Sequence, residues 1–147
     1  ACTLAQGLSF SLDLPVVRVS SLEVIAEHFY KKYKVNNITA LVNAHMNRIY
    51  IGKFGYKNEA LYSSFHEIKR IEEFQISEFS SETLFAGDGC NLVVDHLTSL
   101  GAKFFDHQPN ALDLLSISER KLEEGLVEGP EDLIPFYLSG EEQWKKV

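Results

Sequence analysis

The chain has 147 residues, 45% hydrophobic and 24% charged, with ten Phe and six Tyr, the composition of a folded domain with a sizeable core. Its net charge of −7 argues against a protein that grips nucleic acid by itself, since such a surface needs an excess of Lys and Arg. No apolar run reaches the roughly 18 residues of a membrane span, and no basic start precedes a long apolar stretch as in a signal peptide.

In chain order, Leu4, Ala5 and Leu8 recur at helical spacing within the stretch ACTLAQGLSF. That helix has no N-cap and no starting Met, which predicts a further segment before Ala1. Pro15 ends it, because proline cannot supply the amide a helix needs. Val16 to Val19 reads as a short strand. Ser20-Ser21-Leu22-Glu23 has capping-box spacing and opens a helix with Leu22, Ile25, Ala26 and Phe29 on one face, running out near Tyr33. Residues 38–43 form a strand, and Asn43, His45, Asn47 and Arg48 sit in a polar turn before a second strand carrying Ile49, Ile51 and Phe54. The polar cluster is either a hairpin turn or a chemical site.

A third strand is expected from Ala60 to Phe65, then an ambiguous stretch over 68–79. Thr83-Leu84-Phe85-Ala86 reads as an apolar strand ending in Gly87-Asp88-Gly89. The next helix carries Leu92, Val93, His96, Leu97 and Leu100 on one face, and Gly101 stops it. Lys103 to Phe105 is a short strand, and Pro109-Asn110 leads into a helix with Ala111, Leu112, Leu115 and Leu122. Leu133 to Leu138 is apolar and extended. This alternation predicts one α/β domain over 1–147, a mixed sheet flanked by helices.

Residues that carry chemistry are scattered. His66-Glu67 starts like an H-E-x-x-H zinc helix, but position 70 is Arg, so the second ligand is absent. Asp95-His96 and Asp106-His107 are adjacent pairs whose side chains point apart. His96, on an apolar helical face, is expected to be a core histidine. Cys90 follows a glycine-rich turn, where a thiol's pKa can fall, yet no base accompanies it and a structural role is expected. Cys2 and Cys90 give neither a metal spacing nor a disulfide framework, so a cytoplasmic protein is the default. Gly87, Asp88 and Gly89 are either a tight connection or a place where exposed amides could cradle a phosphate. The lysine groups (Lys31, Lys32 and Lys34; Lys53 and Lys57; Lys69 and Arg70; Lys145 and Lys146) have acidic neighbours for the most part and read as solvated faces. No catalytic set, metal site or cofactor is expected.

Several segments, taken in order, resemble the bacterial TsaB (YeaZ) family. Ala5-Gln6-Gly7-Leu8, Leu14-Pro15 and Val19-Ser20-Ser21-Leu22 look like its "AQGLA…LP…GVSSL" stretch. Asn43 to Tyr50 resembles its "DARMxEVY" hairpin at Ala44, Met46 and Tyr50. Gly87-Asp88-Gly89 falls at its "GxG" turn, and Pro135-Phe136-Tyr137-Leu138 resembles its "PxYLR" end. Asn43, His45, Arg48, Arg18 and Ser139 depart from the family pattern, so charged contacts at the hairpin are rewired and no catalytic role carries over to it.

The resemblance implies one lobe of an actin-like ATPase (ribonuclease H-like) fold, the second lobe, with a first lobe containing "GPGSFTGxR" preceding Ala1. It implies a non-catalytic subunit that works with the TsaD paralogue and the ATPase TsaE. Together these make threonylcarbamoyladenosine beside the anticodon of tRNAs that read A-starting codons. The tRNA is then met only through the complex, and no membrane is involved. Two other classes stay open: a hydrolase, as the family's old "glycoprotease" label has it, using Cys90, His66 with Glu67, or His96; and a degenerate nucleotide-binding lobe using 87–89. The uncapped leading helix, with its apolar stripe, further predicts a homodimer or higher oligomer through residues 1–12.

Overall fold

A computed structural model describes residues 2–57 and 60–133. They gather into two compact units, one holding Ser21–Asn110 and the other the described residues before and after it.

The larger unit begins with helix α2 (Ser21–Tyr33), the second helix of the chain, starting where the capping pattern predicts. Leu22, Ile25, Ala26 and Phe29, its predicted apolar face, are all buried. A five-stranded sheet follows: β1 (Asn37–Asn43), β2 (Arg48–Lys57), β3 (Ala60–Arg70), β4 (Leu84–Ala86) and β5 (Lys103–Phe105), in the spatial order β3-β2-β1-β4-β5. β1, β2 and β3 are antiparallel neighbours, while β4 runs parallel to β1 and β5 parallel to β4. This is the mixed sheet the sequence predicts, in a ribonuclease H-like order. β3 continues five residues beyond Phe65, pairing Arg70 with Arg48.

Strand alternation sends two sets of side chains to opposite faces. Leu41, Ile49, Ile51 and Phe85 enter a core closed by Phe74, Cys90, Val93 and Leu97. Residues 71–73 and 76–78, the ambiguous stretch, are single 3₁₀ turns. Residues 88–93 are also 3₁₀, and only Val94–Leu100 form the α-helix α3. This change of pitch corrects one expectation. A 3₁₀ turn takes three residues rather than 3.6, so the stripe drawn for a continuous α-helix does not hold: Val93 and Leu97 are buried, but His96 is exposed. Gly101, left-handed at φ 69°, ends α3, its amide bonded to Thr98 and that of Ala102 to Leu97.

The smaller unit contains α1 (Cys2–Leu12) and α4 (Ala111–Glu123). Val16 to Val19 is not a strand. Val16 alone bridges Glu128, with amides donated in both directions at 3.0 and 2.8 Å. Beyond it the Arg18 carbonyl accepts from Lys121 Nζ at 3.0 Å instead of entering a ladder. The predicted faces of α1 and α4 point outward. Leu4 and Leu8 are exposed, as are Leu112, Leu115 and Leu122. The inward residues are Ser9 and Ile117, and the Gln6 side chain donates to the Leu133 carbonyl at 2.9 Å. Pro135 to Leu138 and Ser139 lie outside the described residues.

Candidate functional site

The glycine turn after β4 is built around backbone proximity. Gly87 has φ 118°, a region open to glycine, and a Cβ there would lie 2.1 Å from the Leu41 carbonyl oxygen. A Cβ on Gly89 would meet the Leu41–Val42 peptide at 2.7 Å. Both glycines therefore let the turn lie directly against β1. The Gly87 amide is spent on the Phe105 carbonyl at 3.0 Å, and its own carbonyl accepts from the Cys90 amide at 3.2 Å. Asp88 turns its carboxylate toward β1 and accepts from the Asn43 amide at 3.0 Å. This turn ties β4, β5 and the hairpin together. Its glycines serve close packing, and one of its amides is already used.

Cys90 is buried within the 3₁₀ segment. Burial pushes its thiol up to about 12, against a hydrogen bond from the Phe105 backbone that acts to lower it; the carboxylates of Asp106 and Asp88 add to the rise. A helix-terminus thiolate is thus not what the fold makes here, because loss of hydration dominates.

At the hairpin, His45, Met46 and Asn47 are consecutive left-handed residues, with φ 58°, 49° and 60°. The Asn43 side chain accepts from the His45 amide at 2.8 Å, and the Arg48 amide donates to the His45 carbonyl at 3.0 Å. Asn47 Nδ2 donates to Glu72, and the Asn47 carbonyl accepts from Ile71. The polar cluster holds the turn's shape. Met46 projects from it, 84% exposed.

His66, His96 and His107 each lie against different rings. His66 and Glu67 are adjacent on β3 and so face opposite sides of the sheet, His66 against the Phe54 ring at 5.2 Å. Asp106 accepts from Asn91 at 2.8 Å while His107 stacks on His28 at 4.2 Å. His96 meets the edge of Phe74 at 5.8 Å.

Sequence reasoning missed a charge network on the β2–β3 face. Lys69 Nζ donates to both Glu78 oxygens at 3.1 Å and lies 3.2 Å from Glu67, and Lys53 is 3.6 Å from Glu78. Burial acts to lower the Lys69 pKa, but the hydrogen bonds and charges of Glu78 and Glu67 together outweigh it and hold it above its ordinary value. The Lys69 hydrogen bond holds the Glu78 carboxyl below its usual range, with Lys53 assisting. The network borders a cleft of about 230 Å³ lined by Thr39, Lys53, Tyr62, Phe79 and Thr83. That is below the volume of most ligand pockets, and its charged groups pair with one another. A β3 run read past Phe65 would have placed Glu67 and Lys69 on one face with Lys53.

Residues 1–141 match the protein family described as "TsaD: tRNA N6-adenosine threonylcarbamoyltransferase". Among curated relatives, the tRNA threonylcarbamoyladenosine biosynthesis protein TsaB of Haemophilus influenzae is 26% identical, covering 98% of this chain and 65% of that protein. The Escherichia coli protein of the same name is also 26% identical with the same coverage. That of Buchnera aphidicola (Schizaphis graminum) is 31% identical over 58% of this chain. The chain thus spans just under two thirds of the first of these relatives. Among solved structures, YeaZ from Pseudomonas aeruginosa superposes with a TM-score of 0.81 at 23% identity, over 94% of this chain and 66% of that one. A crystal structure of an uncharacterized protein with similarity to peptidase YEAZ gives 0.79 at 22% identity, over 93% and 65%. These likenesses establish the fold.

Proposed function

Because this chain belongs to the TsaD family, and to the TsaB (YeaZ) proteins within it, we propose that it is part of a non-catalytic subunit in the formation of threonylcarbamoyladenosine in tRNA. The observation that carries this is the agreement of the TsaB-named relatives across 98% of the chain with the family match over 1–141. The subunit supports a TsaD-like paralogue, with a TsaE-like ATPase completing the set, and meets tRNA through that complex in the cytoplasm.

The geometry supports a scaffold in two ways. The reactive candidates are spent on structure: Cys90 is a buried thiol pushed up to about 12, and Gly87 and Gly89 bring the turn against Leu41. The leucines of α1 and α4 are instead displayed, Leu4 at 70% and Leu112 at 78% exposure. Residues 1–147 act as the second α/β lobe of the subunit, and these leucines are where the rest of the assembly, or a second copy, is held.

The test is to delete the gene and measure threonylcarbamoyladenosine in total tRNA by mass spectrometry, then titrate a TsaD-like partner with the full-length protein. The modified nucleoside should fall and binding should saturate. Unchanged modification would refute the assignment.

A further inference from the structure

Several lysines of this acidic chain have polar partners in place. Lys53 and Lys69 share Glu78, Lys31 lies 3.8 Å from Glu27, and Lys121 donates to a carbonyl. Lys32, Lys34 and Lys103 differ. Among the described residues, the partners the structure gives these three are aromatic rings.

Lys32 Nζ and Lys103 Nζ lie 5.5 and 4.3 Å from the centroid of the same Tyr33 ring, and Lys103 also approaches Phe105 at 5.5 Å. Lys34 Nζ stands 4.9 Å from the Tyr30 ring, whose stack on Tyr56 has a 3.6 Å centroid separation and a 2° interplanar angle. Tyr33 stacks on Phe105 at 5.1 Å and on Phe29 at 5.9 Å. Three exposed ammonium groups are therefore set among half-buried rings fixed by stacking, beside exposed Asn36 and Asn37. Lysines at a helix C-terminus commonly offset its macrodipole, which accounts for Lys31 and Lys32. It does not account for Lys34, beyond the helix with φ 53°, or for Lys103, which arrives from β5.

We propose that this edge of the Ser21–Asn110 unit, Tyr30–Lys34 with Lys103, is a contact surface for single-stranded RNA. The lysines now lying over the tyrosine rings would swing to phosphates, and the ring faces they leave would meet an unpaired base. Lysines interleaved with aromatic rings suit both parts of a single strand, charge and π-face. The choice of RNA rests on the tRNA reading above. It also revises the expectation that Lys31, Lys32 and Lys34 are only a solvated face.

The probe is a fluorescein-labelled 17-nucleotide RNA stem-loop, titrated with the full-length protein and read by anisotropy from 50 to 200 mM salt. Three phosphate contacts to a single strand give a slope of about −2 in log K against log salt, or about twentyfold weakening over that range. Lys32→Gln/Lys34→Gln/Lys103→Gln should weaken binding at least about tenfold at 50 mM and flatten the slope. Tyr33→Ala should weaken it severalfold with the slope unchanged. An unchanged melting temperature for the triple variant excludes unfolding. Equal affinity and slope for wild type and triple variant would overturn the proposal, as would loss of a protein partner with RNA binding intact. Unchanged tRNA modification on gene deletion defeats the tRNA reading instead, and leaves the lysine-dependent slope to be judged by itself.

Discussion

The two units of this molecule treat apolar side chains in opposite ways. In Ser21–Asn110, Leu41, Ile49, Ile51, Phe85 and Leu97 are 0% exposed and pack around a sheet. In the other unit, α1 shows Leu4, Leu8, Phe10 and Leu12, and α4 shows Leu112, Leu115 and Leu122. Both sets follow helical or strand periodicity, so periodicity reports an apolar face without saying what covers it. The first face finds its cover inside its own unit. The second stays exposed among the described residues.

The largest expected effects fall in the sheet unit. Phe85→Ala removes a fully buried ring and should cost about 3–5 kcal/mol in urea unfolding. Gly87→Ala should cost about 3 kcal/mol, since the new Cβ meets the Leu41 carbonyl at a φ that alanine avoids. Stability close to wild type in Gly87→Ala would mean that the glycine is kept for something other than packing.

Cys90 sharpens the comparison through pH. Its folded thiol ionises near 12, above the ordinary 9.0, so between these values the unfolded chain sheds a proton the folded chain keeps. Stability is intact below about pH 9 and is lost as pH rises toward 12, by up to about 1.4 kcal/mol per unit. Lys69, whose pKa is also raised, weakens in the same direction, so Cys90→Ala is the control that isolates the thiol. Chemical denaturation at pH 8, 9.5 and 10.5 reads the slope, which should be shallower in Cys90→Ala.

The smallest effect on stability should come from the displayed leucines. Leu8→Gln and Leu112→Gln should each change unfolding free energy by no more than about 0.5 kcal/mol. In light scattering the wild-type chain should run as a dimer or larger, and these variants should shift it toward monomer. A wild-type monomer at high concentration would remove the homodimer from the proposal.

Much of the sheet unit was legible because its signals are local. The Ser20–Glu23 capping pattern marked α2, alternation marked β1 and β2, and Gly101 marked the end of α3. Three things were not. The 3₁₀ pitch at 88–93 turned His96 to solvent, and no residue type announces that change. Val16 to Val19 has strand composition but only Glu128 to pair with, a fact set by distant chain. The Lys53–Glu78–Lys69–Glu67 network depends on a loop returning over the sheet, which periodicity within one strand cannot show. At the glycine turn the sequence favoured a tight connection over phosphate binding, and the 2.1 Å approach to Leu41 gives the packing reason for glycine there, which no local pattern shows.

The central claim, a part in tRNA modification without chemistry of its own, is tested most directly by threonylcarbamoyladenosine content in a deletion strain. The strain would be complemented with the wild-type gene or with a His66→Ala/Cys90→Ala/His96→Ala gene, with melting temperature recorded to confirm folding. The account predicts that the modified nucleoside is lost on deletion and restored by both genes. Restoration by the wild type alone, with the variant folded, would show that one of these side chains carries a reaction and would contradict it.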